Sequence, residues 1–247
     1  MKLQLPQVTL IAVTSVKIYE TIRALTYSMQ GIDFGEVVLV THKKPFGLPK
    51  GITYKHTDRL TDIDRFNYLI AYELGSYVNT DYVILVHYDG FIVHPEMWRK
   101  EFLDYDYIGS PWPIPTAEHS TYYDANGNIC RVGNSVSLRS RRFLNYPKEA
   151  GFEWKPAADG FYNEDIFLCC MNKVKFEEAG MRFAPIEVAR LFGREHTIPE
   201  TEGVTPFLFH KWWGENRDFP KFENPLTKLW LTIKAIRRRL MFWRDWS

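Results

Sequence analysis

Apolar positions cluster along the first hundred residues in short runs separated by stretches of helical spacing. Val8 to Val13 reads as an apolar strand ending in Thr14-Ser15. From Lys17 to Gln30, Ile18, Ile22, Leu25 and Met29 recur at helical spacing, which predicts an amphipathic helix. Val37 to Val40 is a second strand, closed by Thr41-His42, and a Pro- and Gly-rich loop runs from Pro45 to Gly51. Thr61-x-x-Asp64 has the spacing of a helix cap, and Phe66, Leu69, Ile70, Leu74 and Tyr77 form the stripe that follows. Tyr82 to Val86 is a fully apolar, β-favouring run, the pattern of a strand covered on both faces, and it stops abruptly in His87-Tyr88-Asp89-Gly90. A short helix is expected from Pro95 to Leu103. Alternating strand and helix implies right-handed crossovers and a mainly parallel sheet, an α/β fold.

After Leu103 the pattern changes. A polar, turn-rich stretch reaches Asn128, and Cys130 to Leu138 reads as a strand interrupted by Gly133-Asn134-Ser135. Asn163-Glu164-Asp165 opens a helix running to about Gly180, where two acids suit the positive end of the helix dipole. In an open α/β sheet, ligands bind beyond the carboxyl ends of the strands. Thr14, Ser15, His42, His87 and Asp89 fall there, and Arg65 and Asn67 lie on the polar side of the next helix. No Gly-x-Gly-x-x-Gly follows the first strand and no Walker A sequence is present, which disfavours a dinucleotide-binding dehydrogenase and a P-loop kinase.

Composition adds three points. Aromatics make up 16% of the 247 residues, with eight Trp and fourteen Tyr, a surplus that suits stacking on sugar faces as well as a core. Cys130, Cys169 and Cys170 give neither a disulfide framework nor zinc spacing, which fits reduced thiols in a cytoplasmic protein. No signal peptide and no bilayer-spanning run is read. The net charge of +1 divides unevenly: residues 221–247 carry +5 and the remainder −4. Within that tail Leu226, Leu229, Trp230, Ile233, Ile236, Leu240 and Met241 recur near helical spacing among Lys and Arg. This predicts a basic amphipathic helix at an anionic membrane surface through residues 226–246, so that the protein is peripheral on the inner face. The acidic remainder argues against nucleic acid. Two units are expected, a domain over 1–220 and the helix over 221–247.

Five strings recur in one order between Tyr82 and His210: Tyr-Val-Ile-Leu-Val-His-Tyr-Asp-Gly-Phe, Tyr-Asp-Tyr-Ile-Gly-Ser-Pro-Trp, Val-Gly-Asn-Ser-Val-Ser-Leu-Arg-Ser, Asn-Glu-Asp-Ile-Phe and Pro-Phe-Leu-Phe-His. Together they resemble the GT-A superfamily of nucleotide-sugar glycosyltransferases, and most of all a family of predicted glycosyltransferases catalogued as a domain of unknown function. The resemblance implies a single GT-A-like domain and a nucleoside-diphosphate sugar as donor. It implies a Mn²⁺ or Mg²⁺ ion on the donor diphosphate, held by Asp89 at the last acid of an Asp-x-Asp motif and by His210. His87 stands where the first acid of that motif is expected.

Asp165 matches the catalytic base of inverting members, with Glu164 beside it. Sugar transfer requires such a base for the acceptor hydroxyl and positive charge for the leaving diphosphate. Trp112 and Trp213 are candidates to stack on sugar, and Gly133, Asn134 and Ser135, less glycine-rich than the family pattern, are expected to shape the acceptor pocket. The activity expected is inverting transfer to a saccharide or lipid-linked saccharide in surface polysaccharide or glycolipid synthesis. Its rival is a GT-A-like module that has lost catalysis and holds a sugar or a partner. A nucleotidyltransferase is disfavoured by the lack of an early Gly-rich loop bearing Arg and Lys.

Overall fold

A computed structural model describes residues 2–116 and 121–223. The tail helix expected over residues 226–246 lies outside the described residues. Strand β1 (Leu3–Val13) leads to helix α1 (Ile18–Ser28), β2 (Ile32–Thr41) and the short β3 (Thr53–His56). Helix α2 (Ile63–Tyr68) widens into a π turn at Leu69–Glu73 and ends in a 3₁₀ turn before β4 (Tyr82–Leu85). Strands β5 (Tyr107–Pro111) and β6 (Val132–Ser140) follow, then α3 (Arg141–Glu149). The chain closes with α4 (Glu164–Ile166), a π turn at Phe167–Met171, α5 (Lys173–Glu178), α6 (Ile186–Phe192) and the paired β7 (Gly193–Arg194) and β8 (Leu208–Phe209).

The six-stranded sheet runs in the order β3-β2-β1-β4-β6-β5. The first four strands are parallel, and β6 joins β4 antiparallel. β1 is central, and Val8 to Val13 bury every side chain because both faces are covered, as their largely apolar run predicts. One face packs Leu10, Ala24, Leu25, Leu39 and Ile84 with Phe192 and Phe207; the other packs Ile11, Val38, Leu69, Leu74 and Val83. A third, aromatic cluster gathers Tyr107, Phe143, Phe152, Phe167 and Phe176 beside β5 and α3.

Several boundaries differ from the sequence expectation. The cap of α2 is Asp62 rather than Thr61: its Oδ1 accepts from the Arg65 amide at 2.8 Å, while the Thr61 hydroxyl donates to its other oxygen. Pro95 to Leu103 is two 3₁₀ turns, Pro95–Met97 and Lys100–Asp104, because Trp98 and Arg99 between them are extended. β6 continues as one strand through Gly133-Asn134-Ser135, but its register with β5 shifts there, between the Ile108–Leu138 and Ser110–Gly133 pairs, and Asn134 takes φ 152°. The helix expected to continue to Gly180 breaks at Asn172, whose side-chain amide donates back to the Phe167 carbonyl. No helix among the described residues is long and apolar enough to cross a membrane.

Candidate active site

Beyond the carboxyl ends of β1 and β4 lies a cavity of about 540 Å³. One end is formed by Val13 to Val16 with Leu60 to Ile63, Phe66 and Asn67, the other by His87, Tyr88, Asp89, Ser135, Asn163, Glu164, Asp165, His210 and Lys211.

The chain reverses directly after β4. His87 donates its amide to the Gly90 carbonyl at 2.7 Å, and Gly90 donates back at 3.3 Å, which aims Asp89 inward. Gly90 is required for closeness, not for a left-handed turn. A Cβ there would lie 2.7 Å from Val136, 2.8 Å from the His210 ring and 2.9 Å from the Phe209 carbonyl. β8 therefore runs against this turn: Phe209 donates to the Phe91 carbonyl and Lys211 to the Asp89 carbonyl, at 3.2 and 2.7 Å. The result is a cluster. One ligand atom from each of His87, Asp89 and His210 lies within 4.8 Å of the others.

Electrostatics divides the site into two parts. Burial alone would raise the Asp89 carboxyl, but His210 and the bond from Lys211 Nζ at 2.6 Å outweigh it and hold it below its usual value. Burial, reinforced by His210, pulls the His87 imidazole down to about 3, so it is neutral. His210 Nδ1 lies 3.1 Å from Glu195 Oε1 and Nε2 3.9 Å from Asp89 Oδ1; both nitrogens are buried, and neither meets hydrogen-bond geometry among the described residues. A neutral imidazole, an ionised carboxylate and a second imidazole whose buried ring nitrogens lack hydrogen bonds form a donor set that could hold a divalent ion. Two imidazoles with one carboxylate suit Mn²⁺ better than Mg²⁺. Glu195 would orient the His210 ring from behind, as carboxylates behind ligating histidines do. It is in turn fixed by the Asn134 side-chain amide at 2.8 Å.

The other part is acidic. Asp165 lies in α4, accepts the Ile166 amide at 2.8 Å and lines the cavity. Burial, and then the neighbouring Glu164 charge, lift its carboxyl to about 8. Glu164, buried in the cavity wall, lies 3.4 Å from the fully buried Arg139 guanidinium.

The cavity thus gathers Thr14, Ser15, Asn67, His87, Asp89, Ser135, Glu164, Asp165 and His210. Six other candidates lie outside its lining. His42 is half-buried at the end of β2, and Arg65 pairs with Glu73 at 2.8 Å. Trp112 is buried, stacked on Tyr122 with ring centroids 4.7 Å apart, and its ring lies so close to Gly133 that a Cβ there would meet it at 2.0 Å. Asn134 belongs to the Glu195 bond, and Trp213 is half-exposed against the His196 ring. Sequence reasoning missed Lys211 and Glu195. Lys211 adjoins a candidate ligand and could have been found by that; nothing in the sequence pairs Glu195 with His210.

Residues 54–210 match a protein family described as a protein of unknown function (DUF5672). The chain belongs to this family. No curated protein sequence matches it. Among solved structures, an active-site mutant of LgtC aligns at 11% identity and a TM-score of 0.50, covering 86% of this chain and 92% of that one. The galactosyltransferase LgtC with donor and acceptor sugar analogs aligns at 12% identity and a TM-score of 0.49, over 84% and 87%. The apo glycosyltransferase GlyE of Streptococcus pneumoniae TIGR4 aligns at 9% and 0.43, over 94% and 60%. The likeness to the LgtC mutant shows a shared fold, the GT-A-like arrangement expected from the sequence.

Proposed function

We propose that this member of the family is an inverting glycosyltransferase using a nucleoside-diphosphate sugar. The observation that carries the reading is a carboxyl lifted to about 8, Asp165, facing one cavity with the His87, Asp89 and His210 cluster. A base works best with a pKa near the working pH. Asp165 would take the proton of an acceptor hydroxyl as that oxygen bonds to the anomeric carbon and the bond to the diphosphate breaks. The electron pair leaves on the diphosphate, whose charge Lys211 is placed to meet. A divalent ion bound by His87, Asp89 and His210 would supply further stabilisation of that leaving charge. Thr14, Ser15 and the 60–67 segment would hold the nucleoside. The fold shared with LgtC adds an analogy at the level of architecture.

The acceptor class that fits is a saccharide or lipid-linked saccharide of surface polysaccharide or glycolipid synthesis. Residues 226–246 would bring the enzyme to it on an anionic leaflet, since each basic group there contributes about 1 kcal/mol. Flotation with anionic liposomes of the full chain, but not of one ending at Asn224, is the expected outcome for that tail.

The rival reading, a silent sugar-binding module, draws on the Lys211 ammonium seated on Asp89. Thermal shift with a panel of nucleotide sugars, with and without Mn²⁺, followed by turnover on the ligand that stabilises, separates the two. Binding with turnover and an inverted anomeric centre supports the enzyme; binding with no turnover on any acceptor supports the module.

A further inference from the structure

The Asp89 carboxylate faces two cation positions. Lys211 Nζ is 2.6 Å from Oδ2, and the His87 and His210 ring nitrogens converge on the same carboxylate. An ammonium bonded to a metal-binding carboxylate repels a divalent ion approaching it and occupies one of its oxygens.

The arrangement is built rather than incidental. Lys211 adopts φ 62°, a left-handed conformation costly for a residue with a side chain. Its backbone is pinned on both sides: its amide donates to the Asp89 carbonyl at 2.7 Å, and the Lys211 carbonyl accepts from the buried Asn216 side-chain amide at 3.1 Å. That turn points the side chain back over Asp89. The side chain itself is about one-third exposed, while that of Asp89 is 5% exposed. A four-carbon stem on a fixed backbone can swing along the cavity while its anchor stays still.

We propose that Lys211 is a built-in counter-ion exchanging with a divalent cation: it holds Asp89 while the cavity lacks a diphosphate, and releases it when a diphosphate draws the ammonium away. Metal and diphosphate then bind with positive coupling, each weak without the other. The inference takes its diphosphate from the donor reading above, deepens it by assigning an order of binding, and can be tested without any sugar.

The test is calorimetric titration of MnCl₂ into the full chain, alone and with inorganic pyrophosphate, for wild type, Lys211→Met and Lys211→Asn. Asn suits the left-handed backbone, so the second variant guards against misfolding of the first. Thermal unfolding checks that each variant is folded. Both variants are expected to bind Mn²⁺ without pyrophosphate about 5- to 150-fold more tightly than wild type, the usual range for a coupling of this kind. Pyrophosphate should strengthen Mn²⁺ binding to wild type far more than to either variant, and in chelator both variants should bind pyrophosphate more weakly than wild type. Unchanged Mn²⁺ affinity in both variants overturns the exchange, as does absence of Mn²⁺ binding in all three proteins. If the exchange is seen while no nucleotide sugar stabilises the protein, the donor reading fails and the exchange stands.

Discussion

Asp89 and Asp165 open onto the same cavity and are driven in opposite directions. Asp89 has the Lys211 ammonium on one oxygen and His210 near the other, so it stays ionised despite its burial. Asp165 has no ion-pair partner among the described residues: the buried Arg139, whose charge lowers it, is bonded to Glu164, and burial with Glu164 and Glu195 pushes the Asp165 carboxyl up. Two carboxylates whose surroundings separate their protonation divide into one that holds charge and one that moves a proton. Neighbouring charge decides which is which, since burial acts on both in the same direction.

The sharpest break in this contrast is at Asp165. Asp165→Asn should lower turnover about 10²- to 10⁴-fold, the range for loss of a general base, with donor binding intact. Wild-type turnover should rise with pH along a limb near 8. Stability should move the other way. A carboxyl held at about 8 in the folded state and near 3.8 when unfolded binds more protons folded, so wild type loses stability from pH 4 to 8. Denaturation of the Asn variant over that window should lack this loss; equal slopes for both proteins would remove the raised carboxyl.

Glu164 tests the same end through its partner. Glu164→Ala leaves the Arg139 charge buried and unpaired and should cost about 3–5 kcal/mol in urea denaturation. Glu164→Gln removes the charge that helps raise Asp165, so the acid limb of its pH–rate profile should shift downward. An unmoved limb would mean that burial alone sets Asp165.

At the Asp89 end, Gly90→Ala should cost about 1–3 kcal/mol and weaken Mn²⁺ binding together, because the added methyl pushes β8 and the His210 ring away. Retained Mn²⁺ affinity would detach His210 from the ion. Trp213→Ala should be smallest, within about 0.5 kcal/mol in stability, since its ring is half-exposed. A raised acceptor KM in that variant would put Trp213 in the acceptor site although it lies outside the cavity lining.

The sequence by itself determined the sheet and most of one cavity wall. Val8 to Val13, Val37 to Val40 and Tyr82 to Val86 are long enough and apolar enough on both faces to be only buried parallel strands. Their ends therefore had to deliver Thr14, Ser15, His87 and Asp89 to one edge of the sheet, as they do. Asn163-Glu164-Asp165 announced a helix start by its acids. What only the tertiary structure decided were the partners. Gly90, legible as a turn signal, proves to be the gap that admits β8, and that contact sets His210 and Lys211 on a carboxylate 121 and 122 positions earlier in the chain. Trp112 was a candidate to stack on sugar and stacks instead on Tyr122, a choice no local pattern contains. The different roles of Glu164 and Asp165, adjacent and similar in sequence, follow from which of them reaches Arg139. Periodicity fixes which face of an element is buried; the charge that meets a given carboxylate comes from a distant segment, and only packing chooses it.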